Sequence, residues 1–176
     1  VRGFIHLIKI ILPSIDIFMN IRAIKITDNM LLANMIRAVF EEYNAPKCGS
    51  VYSDETTDHL FELFQKEKSI LWVAETEGEI AGCCGVYPTE GLPDDCVELV
   101  KFYLSAHARG KGIGKALMQK SIESAKQFGY STVYLESFPA FSDALGIYEK
   151  QGFIKLDKSL GKSGHTSCNI WMIKKI

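Results

Sequence analysis

Residues 97–128, VELVKFYLSAHARGKGIGKALMQKSIESAKQF, restrict the possible folds more than any other stretch of the chain. A β-branched, apolar run crosses a short loop and opens a long helical segment on Arg109-Gly110-Lys111-Gly112-Ile113-Gly114. A helix start leaves several backbone N–H groups without intrahelical acceptors, and the aligned peptide dipoles add partial positive charge at the same point. Glycines remove side chains that would keep an anion from those amides. Arg109, Lys111 and Lys115 add full charges. Chemically the stretch is a pyrophosphate cradle. Glycine costs about 1 kcal/mol against alanine inside a helix, so a loop without a ligand has little reason to carry three beside three cations.

Three phosphate-binding loops can be compared with it. A P-loop needs Gly, four residues, then Gly-Lys-Ser/Thr; here the spacer would start at Arg109, and Ala116 stands where the magnesium-binding hydroxyl belongs. The dinucleotide fingerprint G-x-G-x-x-G fits Gly110 and Gly112, and Glu136 lies at a suitable distance for the acidic residue, but Lys115 occupies the third glycine position. The third pattern, Q/R-x-x-G-x-G/A after a strand, is filled by Arg109, Gly112 and Gly114. These residues closely resemble the coenzyme A loop of the GNAT (GCN5-related N-acetyltransferase) superfamily. A second run, Ala144 to Phe153, is similar to that family's A-x-x-x-Y-E-K-x-G-F signature. The two motifs stand in the family's order and at a suitable separation, and the resemblance extends from about Ile21 to the C-terminus.

A length of 176 residues is that of one ordinary domain with a real core. Twenty basic residues face 21 acidic ones, so no global field favours nucleic acid or an anionic membrane. Five cysteines without a C-x-x-C pair fit neither a disulfide framework nor a zinc site, and the four histidines share no metal-ligand spacing. Reduced cysteines point to a cytoplasmic protein with no metal. Residues 1–18 are apolar, but Lys9, Pro13 and Asp16 interrupt them and no small-residue cleavage site follows, which argues against a signal peptide or a membrane span. The expected division is an N-terminal extension of unreadable role over 1–18, packing on the surface or pairing loosely, and a single domain over 19–176.

Alternation predicts a strand over Ile21–Ile26, and Thr27 or Asp28 is a good N-cap for a helix burying Leu32, Met35, Ile36, Val39 and Phe40. A second helix is expected from Thr56 or Thr57, strands over Ser69–Glu75 and Ile80–Tyr87, and a strand over Ser131–Glu136 parallel to the central one. A short helix near Phe141–Lys150, a strand over Phe153–Leu156, a mobile loop at Gly161–Gly164 and a last strand over Thr166–Ile173 complete the order. That order, β-α-α-β-β-β-α-β-α-β-β, is what the GNAT resemblance implies. The fold implied is mixed α+β, a mostly antiparallel sheet of about seven strands with one splayed parallel pair, flanked by about four helices.

The resemblance further implies acetyl transfer from acetyl-CoA to an amine by direct attack. Tyr148 sits where the family places the tyrosine that protonates the departing thiolate, and a phenol only slightly less acidic than a thiol of pKa near 8.5 suits that task. For the base, Glu98 interrupts the apolar Val97-Leu99-Val100 stretch and begins a run similar to the family's E-L-x-x-x-Y strand; Glu136 is the reserve. The pantetheine arm would lie along the backbone of Phe102, Tyr103 and Leu104, and the diphosphate on Arg109, Gly110, Lys111, Gly112, Ile113, Gly114 and Lys115. One departure stands out: where many relatives carry Asn seven residues before the tyrosine, this chain has Phe141, with Ser137 or Ser142 as possible substitutes. Glu41, Glu42, Tyr43 and Tyr52 lie where relatives shape the acceptor pocket, and acidic residues there favour a cationic acceptor. The expected partner is a small-molecule or peptide amine, with no nucleic acid and no membrane, in a monomer or homodimer. The alternatives are a sensor that binds acyl-CoA without turnover and a nucleotide-dependent oxidoreductase.

Overall fold

The computed structural model describes residues 19–176, and the extension over 1–18 lies outside them. Seven strands form one sheet: β1 (Met19–Ala23), β2 (Ile70–Thr76), β3 (Glu79–Tyr87), β4 (Cys96–Leu104), β5 (Thr132–Ser137), β6 (Ile154–Leu156) and β7 (Ile170–Lys175). Their spatial order is β1-β2-β3-β4-β5-β7-β6. Every neighbouring pair is antiparallel except β4 with β5. The helices are α1 (Asn29–Glu42), α2 (Leu60–Leu63), α3 (Ile113–Gln127) and α4 (Ser142–Lys150). This is the expected order of elements, and β4 to β5 is parallel because α3 carries the chain back across the sheet.

Each face of the sheet has its own core. On one, α1 and α2 bury Leu32, Ile36, Phe40 and Leu60 against Leu71, Val73 and Cys83. On the other, α3 and α4 pack Ile113, Leu117, Ala125 and Tyr148 against Val86, Val97 and Leu99. The apolar stripe of α3 is interrupted by two buried serines that satisfy their hydroxyls within the core. Ser121 donates to the carbonyls of Leu117 and Cys84 at 2.9 and 3.1 Å. Ser124 accepts from Trp72 Nε1 at 3.0 Å.

Boundaries differ from expectation where tertiary bonds compete with local pattern. β1 ends at Ala23 because the Lys25 amide turns to the Asp28 carboxylate at 2.7 Å. Asp28 does occupy the N-cap of α1, yet its side chain makes no cap bond there. It is drawn instead to Arg22, whose guanidinium grips it at 2.6 and 3.0 Å and reaches Glu75 on β2 at 2.5 and 2.9 Å. The last strand starts at Ile170 rather than Thr166, because residues 166–168 turn toward Gly49, with the Ser167 amide bonding its carbonyl at 3.1 Å. The Gly161–Gly164 stretch is tied down, its Lys162 amide bonding the Glu90 carbonyl at 2.7 Å.

The Arg22 cluster fastens the edge strand to the start of α1. Burial acts to raise the Asp28 carboxyl, but the bonds from Arg22 and the Lys25 amide outweigh it and hold the group below its ordinary range. A carboxyl depressed in the folded state contributes stability at neutral pH that is lost as pH falls through its folded value. Arg22→Leu should therefore destabilise the domain by about 3 kcal/mol, leaving Asp28 buried without its cation. Urea denaturation at pH 7 and at pH 3 checks this, with the gap between variant and parent narrowing at the lower pH.

Candidate active site

Strands β4 and β5 are paired over only three positions, Cys96 with Thr132, Val97 with Val133 and Glu98 with Tyr134. Beyond Glu98 they diverge, and β4 runs on to Leu104 with its β5-facing edge unpaired. A cavity of about 620 Å³ opens in the gap, lined by residues 98–104 of β4 and by Glu136, Ser137 and Phe138 at the end of β5. On its other side, β4 carries a bulge. Gly85 pairs with Val100 and Cys83 with Tyr103, so Lys101 and Phe102 together oppose Cys84, and Lys101 takes a φ of 54°. An inserted residue of this kind reverses the in-out alternation downstream. Phe102 and Leu104 then face α3, with Tyr103 turned to the α1 side.

The glycine loop lies at the mouth of this gap. Gly110 and Gly112 have φ of 74° and 80°, and a Cβ at either would meet open space. Their absence of side chains therefore serves the left-handed turn and clears the approach to the first amides of α3. Gly114 works differently. A Cβ there would stand 2.9 Å from Leu104 Cδ1 and 3.2 Å from the Phe102 ring, so this glycine allows α3 to pack closely on the splayed end of β4. Ile113 is buried beneath the turn, while Lys111 and Lys115 are exposed. Arg109 is not a free cation: it pairs with both Glu42 oxygens at 2.6 and 2.7 Å, donates to the Leu104 carbonyl and lies over the Tyr43 ring. It clamps the end of α1 to the loop. The open amides at the start of α3, with Lys111 and Lys115 exposed beside them, have the chemistry a diphosphate needs.

Tyr148 and Glu98 both line the cavity. Tyr148 projects from α4 between the rings of Phe102 and Phe153, each centred 5.8 Å away. Burial pushes its phenol well above the ordinary value, so it holds its proton at neutral pH. Glu98 is only 4% exposed. Burial lifts its carboxyl to about 7, the neighbouring Glu136 charge adds to the rise, and a bond from the Thr89 hydroxyl opposes it. Glu136 is already engaged, accepting from Tyr134 and Ser163 hydroxyls at 2.7 Å each.

Phe141 joins an aromatic cluster, edge-on to Phe40 at 5.3 Å and beside Tyr43 and Phe138. Of the two serines proposed in place of the asparagine, Ser137 lines the cavity and Ser142 is exposed away from its wall. The acceptor-side expectation needs correction. Glu41 is bound to Tyr52 and Lys47, Glu42 is neutralised by Arg109, and of that group only Tyr43 lines the cavity. Polar groups on the cavity wall include Asp54, Lys101 and His165, with Thr89 beside Glu98, and Lys66, Glu90, Asp143 and Lys162 line it further out. Lys101 carried the same signal as Glu98, a charged residue inside an apolar strand. Asp54 and His165 carried none, since only the closed fold brings two loops together.

Among the described residues, no group of His, Cys, Asp and Glu could hold a metal, and no helix is long and apolar enough to cross a membrane. The profile of the acetyltransferase (GNAT) family matches residues 36–153. An uncharacterized N-acetyltransferase of Escherichia coli, YjgM, is 34% identical over 88% of this chain and 93% of its own length. The chain spans about half the length of the mammalian N-acetyltransferase 8 relatives it matches. In fold it is similar to a GNAT acetyltransferase of Staphylococcus aureus, with a TM-score of 0.78 at 19% identity over 90% of this chain and 99% of that one. The PaiA N-acetyltransferase of Thermoplasma acidophilum, solved in complex with coenzyme A, gives 0.68 at 20% identity over 90% and 99%. The splayed parallel pair, the glycine turn at its mouth and these likenesses agree, and the chain belongs to the GNAT family of acetyltransferases.

Proposed function

We propose that the protein transfers an acetyl group from acetyl-CoA to a primary amine by direct attack in a ternary complex. One observation carries this reading: a single cavity joins the unpaired edge of β4, a buried carboxyl tuned near neutrality and a protonated phenol. Acetyl-CoA supplies the activated acyl group. The amides opening α3, with Lys111 and Lys115, hold the diphosphate, and the backbone of Phe102, Tyr103 and Leu104 holds the arm as an extra strand would be held. An amide on that edge polarises the thioester carbonyl.

Glu98 takes the proton that the acceptor amine sheds as its nitrogen bonds the acyl carbon. Tyr148 gives its proton to the sulfur as the C–S bond breaks, and solvent returns the balance from Glu98 to Tyr148. A carboxyl near 7 is deprotonated in useful fraction at neutral pH yet basic enough to act. Release of free thiol from acetyl-CoA with a panel of amines tests the reading, and coenzyme binding without any release would favour the sensor instead.

The rate constant kcat/KM should rise through about pH 7 as Glu98 ionises, and Glu98→Gln should remove that limb while lowering the rate about 100-fold or more. Tyr148→Phe should lower kcat about 100-fold with acetyl-CoA affinity retained; unchanged turnover would take Tyr148 out of the chemistry. Gly112→Glu puts a side chain on a left-handed residue and a negative charge in the cradle, and should abolish coenzyme A binding by calorimetry. Gly112→Ala, which has the strain without the charge, should keep part of it.

A further inference from the structure

The bulge in β4 also determines where Lys101 points. With regular alternation Lys101 would share the α3 face with Leu99; the inserted residue turns it to the opposite face, where Glu98 and Asp54 stand. Its side chain is only 4% exposed, yet it lines the cavity. A buried ammonium needs both a counter-charge and hydrogen-bond acceptors. Asp54 supplies the charge, but its Oδ2 stands 3.8 Å from Nζ, longer than a hydrogen bond. The Asp54 oxygens are taken up by the Thr56 amide and hydroxyl at 2.9 and 2.8 Å and by His165 Nε2 at 3.2 Å. Lys101 therefore stands on the cavity wall with its ammonium opposed by burial and supported by the Asp54 charge, and among the described residues its Nζ makes no hydrogen bond. Its backbone is in a left-handed conformation that is strained for a non-glycine residue.

We propose that Lys101, with His165 beside it, binds a carboxylate of the acceptor, so that the acceptor is a free amino acid or a similarly compact amino carboxylate. This rests on the acetyl-transfer reading above and names its substrate class. The acceptor half of the cavity has two poles, the Glu98 carboxyl with Glu136 of β5 near it at one and Lys101 at the other. A zwitterion answers both poles and adds no net charge where Lys101 and Asp54 already cancel. A polyamine or a protein lysine brings no carboxylate to accept from Lys101. Glu98 and Lys101 are three residues apart on β4, so their Cα atoms are separated by at most about 10 Å. That spacing suits an amine and a carboxylate a few bonds apart, which favours a free amino acid over the N-terminus of a peptide.

The test compares the common amino acids with their decarboxylated amines, such as phenylalanine with phenethylamine and lysine with cadaverine, by thiol release from acetyl-CoA. The amino acid of a reactive pair should show kcat/KM at least about tenfold higher, as expected for a lost charge-assisted bond. Lys101→Met should narrow that ratio to within about threefold, chiefly by raising KM for the amino acid, and Lys101→Arg should keep part of it. Coenzyme A affinity reports whether each variant is folded, and the wild-type comparison needs no variant at all. Amines that match or outperform their amino acids, or an unchanged ratio in Lys101→Met, overturn this inference and leave acetyl transfer standing. Absence of thiol release with every acceptor overturns the transfer reading and this one with it.

Discussion

Backbone hydrogen bonding between β4 and β5 lasts for three residue pairs and then stops, and the site depends on that parting. A parallel pair that stayed zipped would leave no gap at the sheet's centre and no unpaired edge on β4. The divergence persists because both strands are held elsewhere. β4 is paired along β3, β5 along β7, and α3 is wedged under the free end with Gly114 against Phe102 and Leu104. The edge that results lines a cleft between β4 and the end of β5, where a further sheet cannot easily reach it. Its unsatisfied backbone groups are instead available to a ligand shaped like a strand.

The bulge on the other side of β4 is equally constrained. Gly85 on β3 lies so close to the Ile70 carbonyl that a Cβ would stand 2.4 Å from it, and at Gly82 a Cβ would stand 2.7 Å from the Tyr103 carbonyl. These two glycines let β3 stay flat and close while β4 takes in an extra residue. The strand thereby presents a carboxyl and an ammonium on one face, which strict alternation does not allow for residues three apart. The strained Lys101 backbone is part of that arrangement.

The element order and the two motifs could be read along the chain because both rest on local rules. The glycine turn follows from helix-end chemistry, and the Ala144–Phe153 run combines a helix, its glycine stop and the strand that follows. Glu98 was visible as a charge in an apolar strand. The limits of that reading are physical too. Asp28 looked like a cap of α1 and serves instead as the partner of Arg22 and of the Lys25 amide. Glu41 and Glu42 looked like acceptor groups, but Glu41 is taken by Lys47 just beyond its helix and Glu42 by Arg109, 67 positions away. Asp54 and His165 lie 111 positions apart in loops with no periodic signal, and nothing local announces their meeting.

That meeting divides the protein's work between two parts of differing freedom. The donor side is built from the sheet's central strands and the start of α3, where Gly114 has almost no room to vary. The far wall is drawn from two connecting segments outside the sheet, which add Val51 and Cys168 to one core. On the proposed reading, substitutions along those connections can reshape what enters without disturbing the residues assigned to acyl activation. A lineage can exchange one acceptor for another while the scaffold stays as it is.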